Sequence, residues 1–299
     1  MTPRREPAQA TANTGSAEST ADGAASAGGA APGAGEPVVG LRGAALAYGD
    51  RVLWRGLDLD VRPGEFWAVL GPNGSGKTSL LRVLLGLHPL TAGTLRLAGK
   101  AGGRRSRAAV GYVPQQRAID AHAPLRARDF VRLGIDGHRW GPPVFGGRSV
   151  RDRVDAALED VAATPYADVP VGLLSGGEQQ RVRIAQALVT GPRVLLCDEP
   201  LLSLDPHHQR AVSALIDRVR WRGDTAVMFV THEINPVLDL VDRVLYLAGG
   251  RFRAGTVDEV MTSRVLSDLY GSPVEVLRAG GRLIVVGAPE DACHPEVTS

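Results

Sequence analysis

The stretch that decides the fold of this chain is Phe66-Trp67-Ala68-Val69-Leu70-Gly71-Pro72-Asn73-Gly74-Ser75-Gly76-Lys77-Thr78-Ser79. Its first part is apolar and predicts a short buried strand, and the residues after Thr78 have the composition of a helix. Between them lies the pattern Gly-x-x-x-x-Gly-Lys-Ser/Thr, which is the phosphate-binding loop. The sequence therefore predicts a strand, a phosphate loop and a helix in direct succession.

A loop in this position is suited to hold a triphosphate. The N-terminus of the helix offers unpaired N–H groups and a partial positive charge, and the glycines let backbone amides close around phosphate oxygens. We expect the Lys77 ammonium to neutralise the β- and γ-phosphates, and the Thr78 hydroxyl to ligate Mg²⁺. Lys77 is one of two lysines in the chain, which argues against a chance match.

The composition of the 299 residues excludes several classes of protein. The formal net charge is +2, and the densest basic cluster, Arg104 to Arg107, is read as a solvated turn, so no nucleic-acid partner is expected. One cysteine, Cys197, falls in an apolar run and the other, Cys293, in a polar tail, so no structural disulfide is expected. Apolar runs long enough for a membrane span and the apolar core of a signal peptide are both missing, which predicts a cytoplasmic protein.

Changes in composition divide the chain into segments. Residues 1–37 contain no Leu, Ile, Val, Phe, Tyr or Trp, so they predict a disordered low-complexity tail. Apolar strand patterns follow from Val38 onward. Residues 117–172 predict a small helical insertion, with helices near 124–133 and 150–161; the second carries an apolar stripe of Val150, Val154, Leu158 and Val161.

The end of the chain predicts a separate extension over residues 248–287. A short strand is followed by a helix with a capping box from Thr256 to Glu259, and then by a β-hairpin of residues 274–277 and 282–286. Residues 288–299 predict a second disordered tail. Cys293 and His294 there are metal-ligand types without an established metal spacing, so we assign them no site.

Two further stretches carry chemistry. Ser175-Gly176-Gly177-Glu178 opens a helix, which gives a second anion-binding geometry. An apolar strand delivers Asp198 and Glu199 at its end. Consecutive side chains on a strand point different ways, so one carboxylate can hold Mg²⁺ while the other faces an attacking water. Two such charges are costly unless a metal or another cation is present, and an acidic turn after a core strand is the alternative.

Several single residues remain open on spacing alone. Tyr48, between two predicted strands, either stacks on an adenine ring or is a half-buried residue at a strand end. His232 follows the last buried strand, and it either donates a hydrogen bond to a γ-phosphate or is a surface histidine. His207 and His208 are neighbours on a predicted helix, so we expect them to face apart and to be solvated.

Taken in order, these motifs resemble the ATPase subunit of ABC transporters over residues 38–247. The resemblance implies an α/β fold of the P-loop NTPase class and ABC type, with a mixed sheet core, an antiparallel β subdomain and the helical insertion. It assigns the following roles: Tyr48 to adenine stacking, Gly71 to Thr78 to the Walker A loop, Gln115 to the Q-loop, Leu174 to Glu178 to the signature motif, Asp198 to Walker B, Glu199 to the catalytic glutamate, Asp205 to the D-loop and His232 to the switch histidine. Glu178 stands where many relatives carry glutamine.

The resemblance also implies partners. Two copies close head-to-tail, so that each ATP lies between the Walker A loop of one and the signature motif of the other. Glu199 polarises the attacking water, while Lys77, Mg²⁺ and His232 stabilise the developing charge. Gln115, with Thr78 and Asp198 a ligand of Mg²⁺, links the site to the helical insertion. That insertion docks onto an integral membrane permease at the cytoplasmic face of the cell membrane, in a bacterium.

The segments 184–188, 199–205, 231–238 and 269–274 are similar to those of the zinc/manganese importer branch, which implies a permease served by a substrate-binding protein. An importer ATPase for iron-siderophore or another cargo is the alternative. A soluble ABC ATPase acting on ribosomes or DNA is disfavoured, because such proteins carry two fused cassettes or a long coiled coil. A regulatory module without turnover is disfavoured because Lys77, Asp198 and Glu199 are all present.

Overall fold

The structure, a computed structural model, describes residues 36–101, 109–115, 124–137 and 148–287. The predictions for the N-terminal tail up to residue 35, the basic cluster Arg104 to Arg107 and the tail with Cys293 and His294 lie outside the described residues.

The described elements alternate between strands and helices in the order expected for an α/β protein. In chain order they are β1 (Val39–Tyr48), β2 (Arg51–Val61), β3 (Phe66–Leu70), α1 (Lys77–Leu84), β4 (Ala92–Leu97), β5 (Lys100–Ala101), β6 (Val110–Val113), α2 (Ala127–Asp136), α3 (Arg148–Asp160), α4 (Gly176–Leu188), β7 (Val194–Asp198), α5 (Pro206–Gly223), β8 (Ala226–Val230), β9 (Arg243–Ala248), β10 (Arg251–Gly255), α6 (Val257–Val260), α7 (Ser263–Tyr270), β11 (Glu275–Ala279) and β12 (Arg282–Val286). Short 3₁₀ turns lie at Thr164–Tyr166, Val171–Leu173 and Asn235–Leu240.

A mixed sheet of order β10-β9-β3-β8-β7-β6 is the centre of the fold, as predicted. The strands from β9 to β6 are parallel to one another, and β10 pairs antiparallel with β9. The carboxyl ends of β3, β7 and β8 therefore meet at one edge of the sheet. This edge receives the phosphate loop, the acidic pair and the segment with His232.

The central sheet is covered on both faces. Phe66, Ala68 and Leu70 pack into a core with the helices of the insertion and with α4 and α5. Trp67 and Val69 point the other way, into a core shared with α1 and the antiparallel sheet. Consecutive side chains of a strand alternate between faces, so a strand that is apolar at every position is the expected sequence for this environment.

The antiparallel subdomain has the strand order β2-β1-β4-β5 and supports the phosphate loop from one side. Trp54 of β2 is fully buried, and a Cβ atom added to Gly76 would lie 3.0 Å from its indole nitrogen. Arg51 donates a hydrogen bond to the carbonyl of Gly74 at 3.1 Å. β2 therefore supports the phosphate loop through these two contacts.

The helical insertion forms as predicted, with shifted ends: α2 and α3 begin and end within three residues of the predicted bounds. Val154, Leu158 and Val161 are buried, and Val150 packs beside them. Within the described ranges, the helices are too short or too polar to traverse a lipid bilayer.

The C-terminal segment forms the predicted capping box, since the side chain of Thr256 accepts from the backbone N–H of Glu259. The helix that it begins is a single turn, and a second helix, α7, follows after Met261. α7 was not among the elements predicted from the sequence. The hairpin β11–β12 is confirmed, and its turn places Gly280 and Gly281 at φ +57° and +74°, which only glycine adopts freely.

Candidate functional site

The phosphate loop joins β3 to α1 through a backbone that requires glycine. Gly71 has φ +140°, and a Cβ atom there would lie 2.0 Å from the carbonyl oxygen of Leu247. Gly76, at φ +100°, is the N-cap of α1. The residues Pro72, Asn73, Gly74, Ser75, Thr78 and Ser79 complete the loop and the first turn of the helix.

Inside this loop, the Lys77 ammonium donates to the carbonyls of Gly71 and Pro72 at 2.7 and 2.9 Å, although its side chain is buried. The hydroxyl of Ser75 is also buried and has no hydrogen-bond partner among the described residues. A buried cation and an unsatisfied hydroxyl at a helix N-terminus are groups that an anion can satisfy. The loop therefore has the chemistry of a phosphate site.

Asp198, at the end of β7, faces the start of α1. Its carboxylate accepts hydrogen bonds from the Thr78 hydroxyl at 3.4 Å and from the Tyr112 hydroxyl at 3.3 Å. Burial raises the pKa of Asp198, with the two hydroxyl donors opposing the shift. Burial likewise raises the pKa of Tyr112 to about 12. A carboxylate and a hydroxyl beside a phosphate loop are hard oxygen ligands, so these residues fit Mg²⁺.

The side chain of Glu199 has different partners from that of Asp198, as predicted for consecutive residues at the end of a strand. Its carboxylate accepts from the side-chain amide of Gln115 at 3.3 Å and contacts Nε2 of His232. The backbone of Glu199 lies in the left-handed region at φ +49°, which is strained for a residue with a side chain. The turn thus brings Gln115 and His232, from two other strand ends, to one carboxylate.

The phosphate loop and Glu199 border a cavity of about 430 Å³. Its lining includes Tyr48, Arg51, Asn73, Gly74, Gly76, Lys77, Thr78, Ser79 and Glu199. The ring of Tyr48 is 41% exposed and makes an edge contact with His88, at a centroid distance of 4.7 Å. Tyr48 therefore lies exposed in the lining of the cavity, and both interpretations of this residue stay open.

The signature residues Ser175 to Glu178 lie away from the cavity at the phosphate loop. Ser175 and Gly176 are exposed, and Ser175 caps α4 in a capping box with Glu178. The Glu178 carboxylate accepts from the backbone N–H and the hydroxyl of Ser175 at 2.8 and 2.7 Å. Ser175, Gly177 and Glu178 line a second cavity of about 290 Å³, which shares no lining residue with the first. The single chain does not bring them to the phosphate loop.

Asp205 is the N-cap of α5, and its carboxylate accepts from the backbone N–H groups of His207 and His208. The prediction that these two histidines face apart is wrong. Their ring centroids are 5.6 Å apart, because Nδ1 of His208 turns back to the Asp205 carboxylate. Both rings are exposed, as expected, and His208 lies against Gly177 of the signature motif.

Sequence reasoning missed two parts of this site. Tyr112 was assigned only to a buried strand, and its contact with Asp198 follows from the parallel pairing of β6 with β7. The left-handed turn at Glu199 also gave no signal, because glutamate is not a residue type that marks this conformation.

The comparisons with known proteins agree with this geometry. The family described as ABC transporter matches residues 54–202. The chain is 34% identical over 238 residues to the zinc import ATP-binding protein ZnuC of Halorhodospira halophila, and the aligned region covers 79% of this chain and 84% of that protein. It is 35% identical over 232 residues to the zinc transport system ATP-binding protein TroB of Treponema pallidum, with 77% and 85% coverage. The chain belongs to the ATP-binding proteins of the ABC transporter family, and it is an ATPase.

Solved structures show the same fold. An ABC transporter described as metal-chelate type, in an inward-facing conformation, aligns with a TM-score of 0.69 at 25% identity and covers 83% of this chain and 96% of that one. The cbiO1 protein of Clostridium perfringens, part of the ABC transporter complex cbiONQ, aligns with a TM-score of 0.66 at 26% identity, with 78% and 94% coverage. The predicted fold class is therefore confirmed.

Proposed function

We propose that this chain is the ATP-hydrolysing subunit of an importer for zinc or a similar divalent metal. One observation carries the hydrolytic part: Asp198 and Glu199 are adjacent in the chain, yet one faces Thr78 and the other faces Gln115 and His232. A metal-holding carboxylate and a water-activating carboxylate need these separate surroundings.

Each residue at the cavity has a task in this proposal. The loop amides and Lys77 hold the phosphates, and Tyr48 stacks on the adenine. Glu199 accepts a proton from the attacking water, and His232 donates to the γ-phosphate as charge develops there. Thr78 and Asp198 would hold Mg²⁺, with the side-chain oxygen of Gln115 as a further ligand while its amide faces Glu199, and the bound ion would neutralise phosphate charge.

The separation of the signature residues supports a pair of chains. Ser175 and Gly176 are exposed at the start of α4, so they can face a nucleotide bound to a second copy. A helix N-terminus with exposed N–H groups is a favourable partner for a γ-phosphate. We therefore propose a head-to-tail homodimer with ATP between Lys77 of one copy and Ser175 of the other, and Asp205 at the contact between the copies.

The proposals for the cargo and the membrane partners rest on the similar proteins. Two proteins at 34% and 35% identity are named for zinc import and zinc transport. We infer a bacterial importer, in which residues 38–247 form the ATPase domain at the cytoplasmic face of the membrane and residues 248–287 form a C-terminal extension. A separate permease docks on the helical insertion, and a substrate-binding protein delivers the metal.

The hydrolytic part is tested with Glu199→Gln, which keeps the side-chain size and removes the base. We expect ATP to bind with nearly unchanged affinity and turnover to fall by at least about 100-fold. Glu159→Gln, the same change at an exposed position of α3, is the matched control and should hydrolyse ATP. Unchanged hydrolysis in Glu199→Gln would remove Glu199 from its assigned role.

The cargo is tested in the cells that make the protein. Deletion of the chain should abolish high-affinity uptake of radioactive zinc; the intact chain should restore it, and Glu199→Gln should not. Manganese uptake is measured in parallel as the related cargo. Unimpaired zinc and manganese uptake, with loss of iron-chelate uptake, would contradict the metal assignment and support the siderophore alternative.

A further inference from the structure

The segment that carries His232 is bordered by open space on one side. A cavity of about 630 Å³ lies between the start of the phosphate loop and the C-terminal extension. Its lining includes Pro72, His232, Asn235, Tyr270 and Leu283. Because a side chain on such an edge has few packing neighbours, its position depends on the hydrogen bonds that hold its backbone.

One set of these bonds is local. The Thr231 hydroxyl donates to the carbonyl of Glu233 at 2.8 Å and accepts from its backbone N–H at 3.2 Å. These bonds shape the turn around His232, but they do not fix the turn to the rest of the protein. The contacts that join the segment to the rest of the protein are the bond from the Thr231 N–H to the carbonyl of Val69 at 3.3 Å, the contact of His232 with Glu199, and the bonds of Asn235 described next.

Asn235, three residues after His232, makes such a contact with the hairpin. Its side-chain amide donates to the carbonyl of Leu283 at 3.0 Å, and its side-chain oxygen accepts from the N–H of Leu283 at 2.8 Å. Both partners are main-chain atoms, so the pair imitates the bonding of a neighbouring strand. Few side chains other than asparagine and glutamine present a donor and an acceptor in this arrangement.

The hairpin is held to the rest of the protein in part by this contact. β11 and β12 form a sheet of two strands, which is marginally stable alone. Leu283 faces Arg278 across the hairpin, and its main-chain groups point outward to Asn235. The Leu283 side chain is 5% exposed, so the clamp sits where the hairpin enters the core.

We propose that the C-terminal hairpin, through the clamp between Asn235 and Leu283, positions His232 for ATP hydrolysis. Asn235 is then a positioning residue, and the extension sets the rate of the ATPase without contacting the nucleotide. The inference rests on the role of His232 under the proposed function.

The test compares Asn235→Ala with a matched control at the other end of the hairpin. The Ser267 hydroxyl makes an equivalent pair of bonds with Val274, donating to its carbonyl at 3.1 Å and accepting from its N–H at 2.9 Å. Ser267→Ala therefore loosens the hairpin from α7 and leaves the clamp on the switch segment in place.

In steady-state ATPase assays on the full chain, we expect Asn235→Ala to lower kcat about tenfold and to change KM for ATP by no more than about twofold. Asn235→Asp keeps one of the two bonds and should lie between Ala and the wild type, which also serves if Asn235→Ala folds poorly. Ser267→Ala should keep kcat, even if both alanine variants melt at a lower temperature.

A double-mutant cycle separates positioning from general damage. Since the clamp acts through His232, adding Asn235→Ala to His232→Ala should lower kcat no further. Full additivity, or an equal loss of kcat in Ser267→Ala, would overturn the inference. If His232→Ala alone kept the wild-type kcat, the proposed role of His232 would fail; if it lowered kcat and Asn235→Ala did not, the positioning inference alone would fail.

Discussion

The Thr78 hydroxyl donates a hydrogen bond to Oδ1 of Asp198 at 3.4 Å, although 120 residues separate the two in the chain. The bond joins the first turn of α1 to the end of β7, and it places a hard oxygen donor beside a buried carboxylate. This arrangement is the structural basis for the proposed Mg²⁺ site. It also permits the metal site and the stability of the fold to be tested separately.

Asp198→Asn removes the charge at nearly constant size. We expect Mg²⁺-dependent ATP binding to weaken by at least ~10- to 100-fold, because the variant loses a charged oxygen ligand. The measurement is a Mg²⁺ titration with a fluorescent ATP analogue, with Mg²⁺-free binding as the control. An unchanged Mg²⁺ dependence would contradict the assignment.

The same variant makes a prediction about stability. Burial raises the pKa of Asp198, so the folded state binds its proton more tightly than the unfolded chain, and the ionised carboxylate destabilises the fold at neutral pH. Asp198→Asn should therefore keep or raise the melting temperature at pH 7. The gain should shrink as the pH falls toward about 4, the ordinary pKa of aspartate. A lower melting temperature at pH 7 would show that the charge stabilises the fold.

Tyr48→Ala tests the two interpretations that the sequence left open. If the ring stacks on adenine, KM for ATP should rise about tenfold, at the low end of base-stacking energies because the ring is exposed. Tyr48→Phe keeps the ring and should match the wild type. Equal KM values in the two variants would favour the alternative, in which Tyr48 is only a half-buried residue at a strand end.

Much of the fold follows from the sequence because its signals are local. A strand that is apolar at each position predicts burial on both faces, and Phe66 to Leu70 are buried in two separate cores. The hairpin turn is marked by Gly280 and Gly281. The long-range contacts had no such mark: the clamp of Asn235 on Leu283 and the bond from Tyr112 to Asp198 arise only when the strands assemble.

Local signals also failed where a side chain changed the expected geometry. On a regular helix, consecutive histidines point apart, but at the N-terminus of α5 the Asp205 carboxylate draws His208 back. The capping box of Ser175 and Glu178 has the Ser-x-x-Glu spacing from which such a box is predicted, but the prediction for these residues covered anion binding alone.

Glu178→Ala should destabilise the start of α4. The variant removes the acceptor for the N–H and hydroxyl of Ser175, so we expect the free energy of unfolding to fall by about 1 kcal/mol. Glu178→Gln retains an acceptor oxygen and should lose less. Urea denaturation of both variants measures the difference, and equal loss would show that the charge of Glu178, rather than its capping bond, matters.

Gly71→Ala should be far more damaging than a typical glycine replacement. The added Cβ atom would meet the carbonyl oxygen of Leu247 at 2.0 Å, which the sheet cannot relieve without moving β9. We expect a loss above about 3 kcal/mol or failure to fold. The control is Gly43→Ala, which has φ +53° and no atom within 4 Å, and should cost about 1 kcal/mol. Similar costs at the two positions would contradict the loop geometry.

The proposed homodimer, in which ATP is held between two copies of this chain, is tested by the mass of the Glu199→Gln protein. In sedimentation experiments with ATP and Mg²⁺, the account predicts a dimer that returns to monomers without nucleotide. Adding Ser175→Arg, which places a bulky side chain at the exposed signature helix, should prevent the dimer while ATP still binds. A Glu199→Gln protein that binds ATP and stays monomeric, or a dimer that Ser175→Arg leaves intact, would contradict the account.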